Sequence, residues 1–137
     1  MANYSYQNIV EIILKLAENH GSFKTVESGD IFEREKSLTN SYPLFFLHYQ
    51  ENVSEENYLV YNFELYATDT VLAGKGNELQ VLSNCQKWLN DIVNYLRRLD
   101  LPLIELEFGN NSSPITKGLI SGGAGWVYSL SLKTPYD

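Results

Sequence analysis

A chain of 137 residues suffices for one domain that buries roughly two thirds of the surface it exposes when unfolded. Apolar residues at 44% and charged residues at 20% place it among globular proteins and exclude a disordered chain. Seventeen acidic residues against ten basic ones give a net charge of −7, which argues against long-range attraction to nucleic acid or to an anionic membrane.

In chain order, Ile9, Ile12, Ile13, Leu16 and Ala17 recur at i, i+3, i+4, i+7 and i+8, which predicts a helix over 6–18 with Ser5 as its cap and Gly21 as its stop. The period then changes to two, weakly in FKTVESGDIFERE and next in the continuous run PLFFLHYQ, a strand buried on both faces with Pro43 at its start. The polar turn ENVSEEN leads into YLVYNFELYATD, where Leu59, Tyr61, Phe63, Leu65 and Ala67 alternate with Tyr58, Val60, Asn62, Glu64 and Tyr66. Together these two runs predict an antiparallel hairpin over 44–68.

A second helix over 78–99 is expected from Leu82, Cys85, Leu89, Ile92, Val93, Leu96 and Leu99, with Asn77 and Gln80 as its capping pair and Arg97 and Arg98 at its negative end. Leu101-Pro102 stops it. LIELEF and WVYSLSLKT then alternate as strands, each with one wet face. Between them, residues 109–125 are so rich in Gly, Asn and Ser that they read as a long flexible loop, and loops beyond about 12–15 residues tend to be functional. The expected fold is a single α+β domain over 1–137, a mainly antiparallel sheet of about five strands with two helices packed on one face.

Chemistry is sparse along this chain. In VLAGKGNELQVL a phosphate-binding loop would need glycine at 69 and Ser or Thr at 76, where Asp69 and Gly76 stand, and a dinucleotide fingerprint would need glycine at 79, where Leu79 stands. Lys75 is then the tip of a turn. Cys85 lies on an apolar helical stripe, where a thiol behaves as a small hydrophobe, and as the lone cysteine it permits no internal disulfide. His48 alternates with Leu44 and Phe46 in a strand, and His20 closes a helix, so neither has a second histidine at ligand spacing. Glu105 and Glu107 share one strand face, a geometry open to a hard cation, although no third carboxylate converges on them in the sequence. FEREKS is mixed charge suited to a wet strand edge. The opening MANYSYQNIV has neither the basic segment nor the apolar core of a signal peptide, and the single Cys85 fits a reducing compartment, so a protein made and kept in a cytosol is expected. No apolar run approaches the roughly 20 residues of a membrane span. No cofactor or metal is called for.

Aromatic surface exceeds what two helices on one sheet need to cover: Tyr42, Tyr49, Tyr58, Tyr61, Tyr66, Trp88, Tyr95, Trp126, Tyr128 and Tyr136. Tyr and Trp bury area at small entropy cost and keep a polar tip, and both are enriched at interfaces. With tyrosines on both faces of 58–66, at least one of those faces is expected to meet another molecule or to lie at a sheet edge.

YNFELYATD followed by NELQVLSNCQKWLNDIVNYL, and the closing GWVYSLSLKTP, resemble the tail-terminator or tail-completion family of tailed bacteriophages, which includes neck proteins joining head to tail. The likeness can be laid over residues 6–134. It implies a virion protein without enzymatic activity, a closed ring of identical subunits, six or twelve, stacked on neighbouring neck or tail proteins while DNA passes through the channel unbound. On that scheme the hairpin 44–68 and the loop 109–125 supply the subunit and stacking contacts, through Tyr49, Tyr58, Tyr61, Tyr66, Ile115, Leu119, Ile120 and Trp126. Glu51, Glu55 and Glu56 at the hairpin tip would face the channel. The alternatives are a small non-catalytic adaptor that binds a partner through its aromatic hairpin, and an enzyme using Glu105 and Glu107 with a metal.

Overall fold

The computed structural model describes residues 5–30, 42–54, 58–70, 76–99, 105–115 and 123–135. Their elements, in order, are α1 (Tyr6–His20), β1 (Thr25–Gly29), β2 (Leu44–Tyr49), β3 (Val53–Ser54), β4 (Tyr58–Thr70), α2 (Glu78–Arg98), β5 (Glu105–Ile115) and β6 (Gly123–Pro135).

The start of α1 is fixed by a reciprocal cap. The Ser5 hydroxyl accepts from the Asn8 backbone N–H at 3.1 Å while the Asn8 side chain accepts from the Ser5 backbone N–H at 3.2 Å. Two N–H groups that a helix leaves orphaned are thus satisfied at once. The helix ends at Gly21, whose φ of 82° is the left-handed conformation that costs a residue without Cβ nothing. α2 differs from expectation at its start. Asn77 makes no side-chain cap; its amide donates instead to the Thr70 carbonyl oxygen at 3.1 Å, tying the end of β4 to the beginning of the helix. With that side chain engaged elsewhere, the expected Asn77–Gln80 capping pair does not form.

The sheet runs β1-β2-β4-β6-β5, with the short β3 also paired to β4. It is mixed, which corrects the expected mainly antiparallel arrangement: β1 lies parallel to β2, from Thr25 opposite Leu44 to Gly29 opposite His48. A parallel pair needs a crossover of about a dozen residues or more, and the chain from 30 to 43 has that length. FEREKS, expected at a wet strand edge, lies outside the described residues. The hairpin itself is antiparallel as expected, β2 pairing with β4 from Leu44 opposite Thr68 to Tyr49 opposite Phe63. Its turn is shorter than ENVSEEN suggests, because Val53 and Ser54 pair with Val60 and Leu59. β4 and β6 pair along the full thirteen residues of each strand, forming the spine of the sheet.

Both helices pack on the face formed by Phe45, Leu47, Phe63, Leu65, Leu130 and Leu132, α1 over β1 and β2, α2 over β4, β6 and β5. Ile9, Ile13 and Ala17 of α1 and Cys85, Leu89, Ile92 and Leu96 of α2 close this core. Burial of such side chains contributes about 1.5–3 kcal/mol each before entropy is counted. The opposite face carries a smaller apolar cluster of Leu44, Phe46 and Tyr66, with Tyr42 and Val127 against it. Residues 44–47 are therefore buried on both sides of the strand, as the unbroken run LFFL predicts.

The expected loop over 109–125 is largely strand. β5 continues to Ile115 and β6 begins at Gly123, their ladder shifted in register between Phe108 and Ser112. Gly, Asn and Ser are weak strand formers, yet β5 lies at the end of the sheet order, where a register shift and a proline such as Pro114 are tolerated. Residues 116–122 lie outside the described residues.

Candidate functional site

The tyrosines expected to form one contact surface fall into different environments. Tyr61 is 7% exposed and Tyr66 is 6% exposed, on opposite faces of β4, so neither offers a side chain to a partner. Their interface assignment is corrected for a simple reason: strand alternation places one under the helices and the other in the smaller cluster, where each ring is worth more as core. Among the described side chains of the hairpin set, Tyr49 is the exposed one, at 43%. Its hydroxyl lies 2.8 Å from Ser28 Oγ on the neighbouring β1. Trp126 is half-buried and donates its indole N–H to Ser112 Oγ at 2.6 Å, linking β6 to β5. The side chains of Tyr58 and Ile115, and residues Leu119, Ile120, Glu55 and Glu56, lie outside what is described; Glu51 is exposed beside β3.

Around Tyr49 the rings form a small assembly. Tyr6, the first residue of α1, meets Tyr49 edge-on at 5.7 Å and Tyr61 at 5.3 Å between ring centroids, and tilts against Phe63 at 5.2 Å. Burial raises the Tyr6 hydroxyl's pKa, with a further push from Tyr49, and burial raises that of Tyr61. Both stay neutral and available as hydrogen-bond donors. The capped start of α1 thus seals the hairpin end of the core and leaves Tyr49 at its rim.

On the opposite face, β2 and β4 bring together a second polar group. His48 lies between two carboxylates, its Nδ1 4.0 Å from Asp30 and its Nε2 4.0 Å from Glu64. Tyr66 donates its hydroxyl to Glu64 at 3.1 Å, and burial first, then the Glu64 charge and that hydrogen bond, push the phenol far above its ordinary value. The two carboxylates address different nitrogens of the imidazole, so they cannot share one metal ion with it. Among the described residues no group of three or more His, Cys, Asp or Glu side chains is arranged to hold a metal. Glu105 and Glu107 stand opposite Lys133 and Ser131 in the β5–β6 ladder. Cys85 is fully buried, its thiol pushed up to about 12 by burial, with Asp69 adding to the effect, which leaves no thiolate for nucleophilic chemistry at neutral pH.

A surface that the strand pattern did not indicate lies where the two helices meet. His20, at the end of α1, donates from Nε2 to Asp91 of α2 at 2.9 Å. Phe23 and Tyr95 flank the imidazole at centroid distances of 5.9 and 6.4 Å, and Phe23 meets Trp88 edge-on at 5.5 Å. Tyr95 is 41% exposed and Leu99 40%. The sequence holds a signal for this patch: Trp88, Tyr95 and Leu99 stand at i, i+7 and i+11, a stripe flanking the core positions rather than within them. Leu99 reads as core from periodicity alone, but the buried stripe ends at Leu96. No described helix is long and apolar enough to cross a membrane. The chain matches no protein-family model and no curated protein.

Proposed function

We propose that this protein is a non-catalytic structural component of a tailed-phage virion, one subunit of a closed ring in the neck or at the head-proximal end of the tail. The observation that carries the reading is the layering: two helices on one face of a sheet whose spine is the thirteen-residue β4–β6 ladder, in the order helix, strand, hairpin, helix, strand pair. The resemblance to tail-terminator and tail-completion proteins implies two helices on one face of an antiparallel sheet; the layering agrees with that, and the parallel β1–β2 pair departs from it. A rigid ladder suits a subunit that must hold its shape while a neighbour bears on it, since local opening is rarest where buried contacts and backbone hydrogen bonds are densest.

On this reading six or twelve copies surround the channel, DNA passes without specific binding, and neighbouring neck or tail proteins stack above and below. The net charge of −7 keeps phosphate from adhering to the ring, and the exposed Glu51 is a candidate for its rim. Of the hairpin aromatics, Tyr49 remains a candidate contact because it is exposed; Trp126 remains one through its half-buried edge. The exposed Tyr49 favours a second reading as well, a small adaptor that presents the hairpin end to a protein partner outside any virion.

The two readings part on stoichiometry and place. Electron microscopy of the purified full chain, and reconstruction of particles that contain it, should give a ring of fixed copy number on the head-to-tail axis. A monomer bound away from that axis would exclude the ring and leave the adaptor.

A further inference from the structure

We infer that His48 is a pH-operated clasp: protonated, it fastens the edge strand β1 to the sheet through carboxylates on both sides of its ring, and neutral, it lets that strand loosen. The inference does not depend on the ring reading, since it concerns contacts within one chain.

The geometry is a matter of donors and acceptors. His48 stands on β2, with Nδ1 4.0 Å from Asp30, the residue that follows β1, and Nε2 4.0 Å from Glu64 on β4. A carboxylate only accepts, so each nitrogen faces a group that a ring N–H suits and a lone pair does not. A neutral imidazole carries one N–H and one lone pair, whichever tautomer it takes. Only the imidazolium matches both neighbours. At 4.0 Å the attraction is between charges rather than through direct hydrogen bonds. His20 is the contrast: Asp91 meets its Nε2 while its Nδ1 has no hydrogen-bond partner, and one neutral tautomer satisfies that contact.

The surroundings hold the anions in place. Tyr66 donates its hydroxyl at 3.1 Å to the same Glu64 oxygen that faces His48, and its ring meets the imidazole edge-on at 6.3 Å. Glu27, opposite Phe46 in the β1–β2 ladder, lies on the same sheet face. Among the described residues, the titratable groups set against His48 are thus Asp30 and Glu27 from the β1 side and Glu64 and Tyr66 from β4. The imidazole is 14% exposed and Glu64 26%, so their attraction is screened less than that of an open pair, while Asp30, at 54%, is held more weakly.

The clasp acts at an edge. β1 ends the sheet order and, among the described residues, pairs with β2 alone, so it opens more readily than the β4–β6 spine. Histidine is the side chain that changes charge between pH 5 and 8, a range in which ordinary carboxylates stay ionised, so the clasp closes toward the acid end.

The test is amide hydrogen exchange of the full chain at pH 5.5 and pH 8, each rate corrected for the intrinsic effect of pH. Relative to β4 and β6, the amides of β1 should be about three- to tenfold better protected at pH 5.5, the size expected of two partly screened ion pairs. Nitrogen NMR of the imidazole should show both His48 nitrogens protonated at the pH where protection is high. His48→Gln, which keeps hydrogen-bonding capacity without a titratable ring, should abolish the difference, with circular dichroism to confirm the fold. Asp30→Asn alters the more exposed partner and should shrink it, which keeps the test decisive if His48→Gln does not fold. Equal relative protection at the two pH values, a difference that persists in His48→Gln, or one undiminished in Asp30→Asn would overturn the inference.

Discussion

His20 on α1 and Asp91 on α2 meet at 2.9 Å, and this contact ties the two helices with a polar link beside an otherwise apolar junction. The imidazole is 9% exposed and its Nδ1 has no hydrogen-bond partner, so the Nε2–Asp91 bond is what offsets the burial of the ring. Asp91→Ala should therefore cost about 1–3 kcal/mol, the penalty for leaving a buried polar group unmatched. Lys87→Ala should cost less than about 1 kcal/mol, because Lys87 is 74% exposed and its 3.6 Å pair with Asp91 is screened by solvent. Urea unfolding of the two variants measures both, and equal losses would show that the link between the helices is not the His20 contact.

The leucines of α2 separate core from surface within one helix. Leu89 is fully buried and Leu79 is 82% exposed. Leu89→Ala is expected to cost about 2–5 kcal/mol, through lost burial and the cavity that remains. Leu79→Ala should stay within about 0.5 kcal/mol of the parent. Thermal or urea midpoints decide, and a small loss at Leu89 would mean that the helix presents another face to the sheet.

Gly125 illustrates a constraint invisible in composition. It lies in β6 opposite Thr68 of β4, and a Cβ placed on it would fall on the Ala67 carbonyl oxygen, far closer than the 3.0 Å that real Cβ atoms respect. The obstacle is backbone in the central ladder, which cannot swing aside as a side chain can. Gly125→Ala should cost about 1–3 kcal/mol and Gly125→Val more, as expected for overpacking. Gly76, with open space around its position, is the control: its alanine variant should lose far less. Comparable stability for Gly125→Ala and the parent would show that β4 and β6 are farther apart than their register implies.

How far the sequence reveals this molecule depends on which interaction dominates at each place. α1 and α2 are legible because one-sided burial sets their period, and the hairpin is legible because Leu59 to Ala67 alternate without interruption. β5 is not, since Gly109 to Ser113 carry turn residues, and it is the ladder to β6 on either side of the register shift, through Phe108 and Ser112, that makes one strand of the segment. The parallel β1–β2 pair is hidden as well, because strand direction depends on the crossover and not on the residues within the strands. At the candidate site, the surplus of aromatics is plain in the sequence, but alternation alone cannot show that Tyr61 and Tyr66 would both be buried while Tyr95 stays exposed. That depends on where α1 ends and how α2 lies against it.

The last prediction concerns alkaline pH. Cys85 has its thiol raised from an ordinary value of 9.0 to about 12, chiefly by burial and further by Asp69. Tyr66 is raised by burial and by Glu64, Tyr61 by burial, and Tyr6 by burial and Tyr49, each from an ordinary value of 10.0. All four groups are neutral when protonated, so a raised value means that the folded chain holds its protons where the unfolded chain releases them. Their contribution to stability is complete below about pH 9 and falls as pH rises through the interval between the ordinary and the raised values. The urea midpoint should therefore be lower at pH 10.5 than at pH 8, the sign being fixed by the unfolded state binding fewer protons. Cys85→Ala removes the earliest of these titrations and should make the decline between pH 9 and pH 10 shallower, whatever the variant does to stability at pH 7. A midpoint that holds steady to pH 10.5 would mean that these groups ionise in the folded chain as readily as in water, and that the core around Cys85 admits solvent.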